Sequence, residues 1–291
     1  MHPRKRFVVE LPSHHLVLGE RTLIMGILNV TPDSFSDGGR HYRYRDAISR
    51  GLQLEDEGAD IIDVGGESTR PPFLSSLPAD EEARRVVPVI EKLKRRVRIP
   101  LSVDTFKASV ARLSISVGAE VINDISALRL DPDMAEVAAS SGGALILMHS
   151  RGGPGTMHHM PMTADCLRTV IQSLKRSIKK ALAAGVRKSR LIIDPGLGFS
   201  KTADESINLL KNLPSLSRLN LPIAIGASRK SFLGKLLAAP VEDRLLGSVG
   251  SAAVASLQGA HIIRVHDVRA TLQVLRVCDA VRFGSLPKEK R

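Results

Sequence analysis

Short, uninterrupted apolar runs alternate with longer stretches of helical periodicity along nearly the whole chain. After a hairpin pattern at Phe7–Leu11 and His15–Gly19, the runs predict strands at Leu23–Asn29, Asp60–Gly65, Leu101–Asp104, Val121–Asp124, Ala144–His149, Leu191–Asp194, Ile223–Ala227 and His261–His266. They are continuous rather than alternating, as expected of strands covered on both faces. Between them, Asp80–Arg95, Thr105–Val117, Asp165–Ala184 and Arg244–Gln258 carry helical patterns, with Gly, Pro, Asp and Ser at the joints. Strands that alternate with helices pair in parallel. Eight of them favour a closed barrel over an open doubly wound sheet, and closure removes exposed edges. The expected architecture is α/β: a single (β/α)8 TIM barrel domain over residues 1–291, with a short N-terminal β-hairpin in 1–20 and a basic tail at 284–291. No stretch reads as an interdomain linker; the Pro-rich Pro71–Pro78 and the Gly- and Met-rich Arg151–Met162 read as loops over a pocket.

Length agrees: 291 residues is close to the roughly 250 of such barrels. Aromatics make up only 3% and Trp is absent, so the core must be aliphatic. Forty-two Lys and Arg against 30 Asp and Glu leave +12, which favours anionic partners such as nucleic acid, an anionic membrane or a phosphorylated substrate. The clusters Arg4-Lys5-Arg6, Lys92–Arg98, Lys175–Lys180, Arg187–Arg190 and Lys288–Arg291 fall on predicted helices or chain ends and read as solvated faces. They lack the interleaved aromatics of a nucleic-acid surface, and no apolar run is long enough to span a membrane, so neither partner is expected. Cys166 and Cys278 lie far apart without CxxC spacing, as reduced thiols of a cytoplasmic protein do. Glu10, Pro12, His14 and His15 interrupt any signal-like segment near the start.

The informative positions end the strands: Asn29, Gly65-Gly66-Glu67, Asp104, Asn123-Asp124, His149, Asp194, Ser228-Arg229-Lys230 and Arg264-Val265-His266-Asp267. In a barrel of this kind those ends converge on one face, where ligands bind. Each acidic or amide side chain alone could simply cap the next helix. Capping does not explain Asp104, Asn123, Asp194 and Lys230 together. Carboxylates accept from ring N–H and amino groups, Asn both donates and accepts, and Lys donates to a carbonyl or ring nitrogen. The set suits a flat, multiply functional heterocycle such as a pterin.

Arg264 and His266 are two residues apart, hence on one side of the last strand, where such barrels often hold phosphate. The competing expectation is an Arg264–Asp267 salt bridge. Residues 29–39 form a Gly- and Pro-rich loop with a large aromatic, Phe35, among polar neighbours. His149, His158 and His159 match no compact zinc spacing; they read as polar residues, with His149 a candidate for the pocket wall.

Met25-Gly26-Ile27-Leu28-Asn29-Val30-Thr31-Pro32-Asp33-Ser34-Phe35-Ser36-Asp37-Gly38-Gly39 and Asp60-Ile61-Ile62-Asp63-Val64-Gly65-Gly66-Glu67-Ser68-Thr69-Arg70-Pro71 closely resemble the two signature segments of the dihydropteroate synthase family. The likeness continues, in order, through Ser102-Val103-Asp104-Thr105, Ile122-Asn123-Asp124, Met148-His149, Asp194-Pro195-Gly196-Leu197-Gly198-Phe199, Ser228-Arg229-Lys230-Ser231 and Arg264-Val265-His266-Asp267. The resemblance implies condensation of p-aminobenzoate with 6-hydroxymethyl-7,8-dihydropterin diphosphate, giving dihydropteroate and diphosphate. It implies that Asp104, Asn123, Asp194 and Lys230 hold the pterin. Asn29, Thr69, Arg264 and His266 would hold the diphosphate, with Mg²⁺ at Asn29. Phe35, Arg70, Pro71 and Ser231 would shape the p-aminobenzoate pocket, and Asp37, Lys230, Arg264 and His266 would carry catalysis. A homodimer is implied as well.

Some residues depart from the family pattern. Pro72-Phe73 stands where Gly usually follows Pro71, Leu197 replaces a Phe beside the pterin site, His149–Pro154 differs from the commoner Met-Gln version, and Met162 stands where Tyr is frequent. Affinity rather than activity is expected to feel these changes. A pterin-binding methyltransferase on the same barrel would not need the 29–39 loop or the Arg264/His266 pair, and a non-catalytic binder would not need the whole set. Lys230→Ala and Arg264→Ala are expected to lower turnover severely and leave the fold intact.

Overall fold

The computed structural model describes residues 4–30, 40–67, 77–153 and 165–285. Strands β1 (Phe7–Glu10) and β2 (His15–Leu18) form an antiparallel hairpin, with Phe7 opposite Leu18 and Glu10 opposite His15. Eight further strands follow: β3 (Leu23–Asn29), β4 (Ile61–Gly65), β5 (Leu101–Asp104), β6 (Val121–Asp124), β7 (Ala144–Met148), β8 (Leu191–Asp194), β9 (Ala224–Gly226) and β10 (Ile262–Val265). All pair in parallel, in the order β8-β7-β6-β5-β4-β3-β10-β9. A parallel bridge between Ile193 and Ile223 joins the two ends and closes the barrel. The α-helices are α1 (Arg40–Asp56), α2 (Ala79–Lys94), α3 (Ala108–Ser116), α4 (Met134–Ser141), α5 (Cys166–Ala183), α6 (Ala203–Lys211), α7 (Ser231–Leu237), α8 (Leu245–Leu257) and α9 (Val268–Phe283).

Every expected strand is present, and the edges differ by a residue or so where a side chain takes over a backbone partner. Asp60 lies just ahead of β4 because its carboxylate accepts from the Ile24 N–H and pairs with Arg21. His266 lies just past β10 because its N–H turns to the Ser228 hydroxyl.

Alternation along each strand sorts side chains into two cores. Ile24, Leu28, Ile62, Val64, Val103, Ile122, Leu145, Leu147, Leu191, Ile193, Ile225, Ile263 and Val265 pack in the cluster that includes the helices. Leu23, Met25, Ile61, Val121, Ala144, Ile146, Ile192, Ala224 and Ile262 fill the barrel and share one cluster with Val9, Leu11, Leu16 and Leu18 of the hairpin. The hairpin therefore plugs the N-terminal end of the barrel. Burial of each such aliphatic side chain is worth about 1.5–3 kcal/mol. Two residues beyond Ile61, Val121, Ile192 and Ile262 on the same inward faces stand Asp63, Asn123, Asp194 and Arg264, which places the site at the opposite end.

In the Arg4-Lys5-Arg6 cluster Lys5 and Arg6 are exposed as expected, and Arg4 is the exception. The Arg4 side chain is fully buried, donating to Asp279 Oδ1 at 3.2 Å, Thr22 Oγ1 at 2.9 Å and Ser256 O at 3.1 Å. Its Asp279 partner is itself buried on α9, so the charge is compensated rather than hydrated. Cys166 and Cys278 are unpaired and buried. Among the described residues no helix is long and apolar enough to cross a membrane.

Candidate active site

Arg264 organises the floor of the polar end. From β10 its Nε donates to Asp63 Oδ2 on β4 at 2.6 Å, and its Nη2 donates to Asp104 Oδ2 on β5 at 2.6 Å. Asn123 Nδ2 on β6 donates to the same Asp63 oxygen at 3.0 Å. Three of the expected residues thus meet in one network, around a carboxylate the strand-end reasoning passed over. Asp63 is completely buried. The signal was available: it interrupts the run Ile61-Ile62-Asp63-Val64 two residues before Gly65, on the inward face. The expected Arg264–Asp267 pair does not form. Asp267 is held instead by Arg229, at 2.6 and 3.0 Å, because Arg264 faces inward and Arg229 lies outside the barrel rim.

The electrostatics follow from burial. Burial alone would lower the Arg264 guanidinium, but Asp63 and Asp104 outweigh it and raise it, so the cation is permanent. Burial raises Asp104, with Arg264 opposing and Asp63 reinforcing. Gly65 and Gly226 keep the lining open. A methyl group on Gly65 would sit 3.7 Å from Asp104 Oδ2 and 3.9 Å from Asn29 Oδ1; one on Gly226 would sit 3.9 Å from Lys230 Nζ.

Two lysines grip the loop after β8. Lys230 Nζ donates to Leu197 O at 2.5 Å and lies 4.1 Å from the centre of the Phe199 ring. Lys201 Nζ donates to Gly196 O at 2.8 Å, Phe199 O at 2.9 Å and His149 O at 3.2 Å, matching three N–H groups to three carbonyls. Burial lowers both lysines to about 7; for Lys230, Asp194 pulls the other way. Asp194 is raised by burial, though its Oδ1 accepts from the Gly196 N–H at 2.6 Å. The turn requires glycine: Gly196 has φ +69°, and a Cβ there would lie 2.0 Å from His149 O. Lys201 follows from no motif read in the sequence; only packing shows it beneath the loop.

Leu197 is fully buried in the strand–helix core, so its substitution for Phe does not remove a pocket surface; Phe199 is the ring beside Lys230. Asp124 faces outward and accepts from the Ser126 and Leu128 N–H groups, a local turn role. His149 is buried between β7 and the β8 loop. Burial, with Lys201, Arg129 and Arg151 nearby, lowers it to about 2, so it is neutral.

At the rim, Ser228 Oγ lies 2.9 Å from His266 Nδ1, and Arg50 Nη2 donates to His266 O at 3.0 Å. Ser231 opens α7, directly after Lys230. Lys107 bridges Glu67, at 2.5 Å, and the buried Glu82. Phe35, Asp37, Thr69, Arg70 and Pro71 lie outside the described residues, as do Pro72, Phe73, Pro154, His158, His159 and Met162. Among the described residues no group of three His, Cys, Asp or Glu could hold a metal.

A closed parallel barrel whose C-terminal mouth gathers two lysines, an arginine, three aspartates and an asparagine is the frame of a small-molecule enzyme with a polar, planar ligand. Residues 25–266 match the model of the pterin binding enzymes, and the chain belongs to that family. It is 45% identical over 257 residues to the dihydropteroate synthase of Escherichia coli (strain K12), covering 88% of this chain and 90% of that one. The structure of Xanthomonas albilineans dihydropteroate synthase with 4-aminobenzoic acid is 43% identical, with a TM-score of 0.89 over 96% of this chain and 99% of its own. The Yersinia pestis dihydropteroate synthase with a sulfonamide drug complex is 42% identical, also at 0.89, over 96% of this chain and 100% of its own.

Proposed function

We propose that the chain is a dihydropteroate synthase, a transferase of folate biosynthesis. It joins p-aminobenzoate to 6-hydroxymethyl-7,8-dihydropterin diphosphate and releases diphosphate and 7,8-dihydropteroate. The observation that carries this reading is the convergence of Asp104, Asn123, Asp194 and Lys230 around Arg264 at the barrel mouth. The carboxylates accept from the pterin amino and ring N–H groups, Asn123 completes the edge, and Lys230 donates to the ring. Leu197 O and Phe199 hold the Lys230 ammonium in place before substrate arrives.

The leaving group sits above, against Arg264, His266, Asn29 and Thr69. Arg264 spends two of its five N–H groups on Asp63 and Asp104, which leaves donors for diphosphate oxygens. Mg²⁺ fits this donor set as a substrate-borne ion. Asn29 offers one hard amide oxygen, the described residues offer no group of three acidic, His or Cys side chains that could hold a metal, and magnesium commonly takes most of its ligands from phosphate and water. When bound it would neutralise diphosphate charge.

The methylene C–O bond breaks first, and the electron pair leaves with diphosphate. Asp37 stabilises the cationic pterin methylene. The aryl amine then forms the new C–N bond and loses its proton, held by Phe35, Arg70, Pro71 and Ser231 rather than activated by a strong base. Water must be excluded while the cation lasts.

The molecule is read as one domain acting as a homodimer in the cytoplasm. Leu236, Leu237, Leu246, Val277, Val281 and Phe283 expose apolar surface on α7, α8 and α9, which supports self-association. A coupled diphosphate-release assay tests the function. Release should require pterin diphosphate, p-aminobenzoate and Mg²⁺ together, and sulfonamides should compete with p-aminobenzoate. Release that ignores p-aminobenzoate would make the protein a hydrolase instead.

A further inference from the structure

We propose that Ser228 is a positioning residue that holds His266 as its Nε2–H tautomer, so that the imidazole presents a hydrogen-bond donor to an anionic oxygen at the barrel mouth. The inference deepens the leaving-group reading above and rests on it for the identity of that anion.

One hydroxyl proton decides the tautomer. Ser228 is buried where β9 runs into its loop, and His266 stands at the end of the neighbouring β10. The His266 backbone N–H donates to Ser228 Oγ at 3.3 Å, which occupies an oxygen lone pair. The same oxygen lies 2.9 Å from His266 Nδ1. A serine hydroxyl has one proton, and among the described residues Nδ1 is its only acceptor. If Nδ1 carried the ring proton, Oγ would accept twice from one residue and its own buried proton would have no partner, an arrangement folded proteins avoid. The hydroxyl therefore donates to Nδ1, and the neutral ring keeps its proton on Nε2.

The surroundings fix the geometry of this pair. Arg50, itself held by Glu57 at 2.8 Å, donates to the His266 carbonyl at 3.0 Å. Arg229 and Asp267, the next residue on each side, form a two-point ion pair between the same two strand ends. Main chain and side chain thus clamp β9 to β10 at two successive positions. His266 shares the inward side of its strand with Arg264, so donor groups accumulate where such barrels bind phosphate. A tautomer with an acceptor nitrogen in that place would repel an anionic oxygen.

Histidine-selective ¹⁵N labelling and long-range ¹H–¹⁵N correlation test this on the intact protein, at a pH above the ordinary histidine range. Comparison with His266→Gln assigns the ring. The wild type should show the Nε2–H pattern for His266, Ser228→Ala should lose that bias, and Ser228→Thr should restore it. In parallel, Ser228→Ala should lower kcat/KM for pterin diphosphate roughly 10- to 100-fold, the range typical of losing a group that orients a functional histidine, while KM for p-aminobenzoate stays put. An Nδ1–H ring in the wild type, or an unchanged tautomer in Ser228→Ala, would overturn the proposal. The spectrum reads the tautomer whatever the substrate proves to be, so a failed synthase assay and a failed inference give different results.

Discussion

Arg264 Nε and Asp63 Oδ2 lie 2.6 Å apart across the inside of the barrel, joining its last strand to its second. Asp63 is fully buried, and Asp104 takes the other side of the guanidinium. Removing one member of such a pair strands the others in a poorly solvated interior, at a cost of about 3–5 kcal/mol. The expectation that Arg264→Ala spares the fold is therefore revised. Arg264→Ala should lower stability in urea by that order as well as abolish turnover. Arg264→Lys keeps the charge but cannot fork to two carboxylates, and should fall between the two. Wild-type stability in Arg264→Ala would refute the pairing.

Lys230 should set the alkaline side of the activity profile. Burial lowers it to about 7, so its ammonium donor is lost as pH rises through that value in the free enzyme. The rate constant kcat/KM for pterin diphosphate should fall tenfold per pH unit above that point. Lys230→Arg, which does not titrate there, should be slower but lack this limb. An unchanged limb in Lys230→Arg assigns the titration elsewhere.

Lys201 is expected to act on stability with a definite sign. Its folded value of about 7 lies below the ordinary 10.5, so between those values the unfolded chain holds a proton that the native chain lacks. Native stability gains from this lysine as pH rises across the window. Lys201→Met should thus be more destabilising near pH 10 than near pH 6.5, with the three carbonyls of His149, Gly196 and Phe199 left unpaired throughout. Denaturant midpoints of both proteins across that range give the answer; a constant difference would refute it.

Two glycines should fail in different ways. Gly196→Ala places a methyl group 2.0 Å from His149 O at positive φ, and should unfold or reshape the β8 loop. Gly226→Val adds bulk beside Arg264 and Lys230, where a first carbon meets only ordinary contacts at 3.8 and 3.9 Å. It should keep a near-native melting temperature yet lose pterin binding by calorimetry. Equal loss of stability in both would show that Gly226 is a core position and not a pocket wall.

The alternation of buried apolar runs with helical periods was enough to locate the hairpin and all eight barrel strands, because both patterns are local and repeat along the chain. The strand-end residues Asp104, Asn123, Asp194, Lys230 and Arg264 were legible for the same reason: once the strands are parallel, their ends must meet. Only the tertiary structure decided the partners. Asp63 looked like one more strand residue until Arg264 and Asn123 reached it from other strands, and Lys201 looked like a loop lysine until three carbonyls closed on it. Leu197 turned out to be core and Arg4 to be buried, since a side chain's direction depends on what packs around it and not on its neighbours in sequence. Periodicity fixes which residues share a face. Hydrogen-bond geometry between distant strands, which sets charge, tautomer and pocket shape, exists only after the barrel has closed.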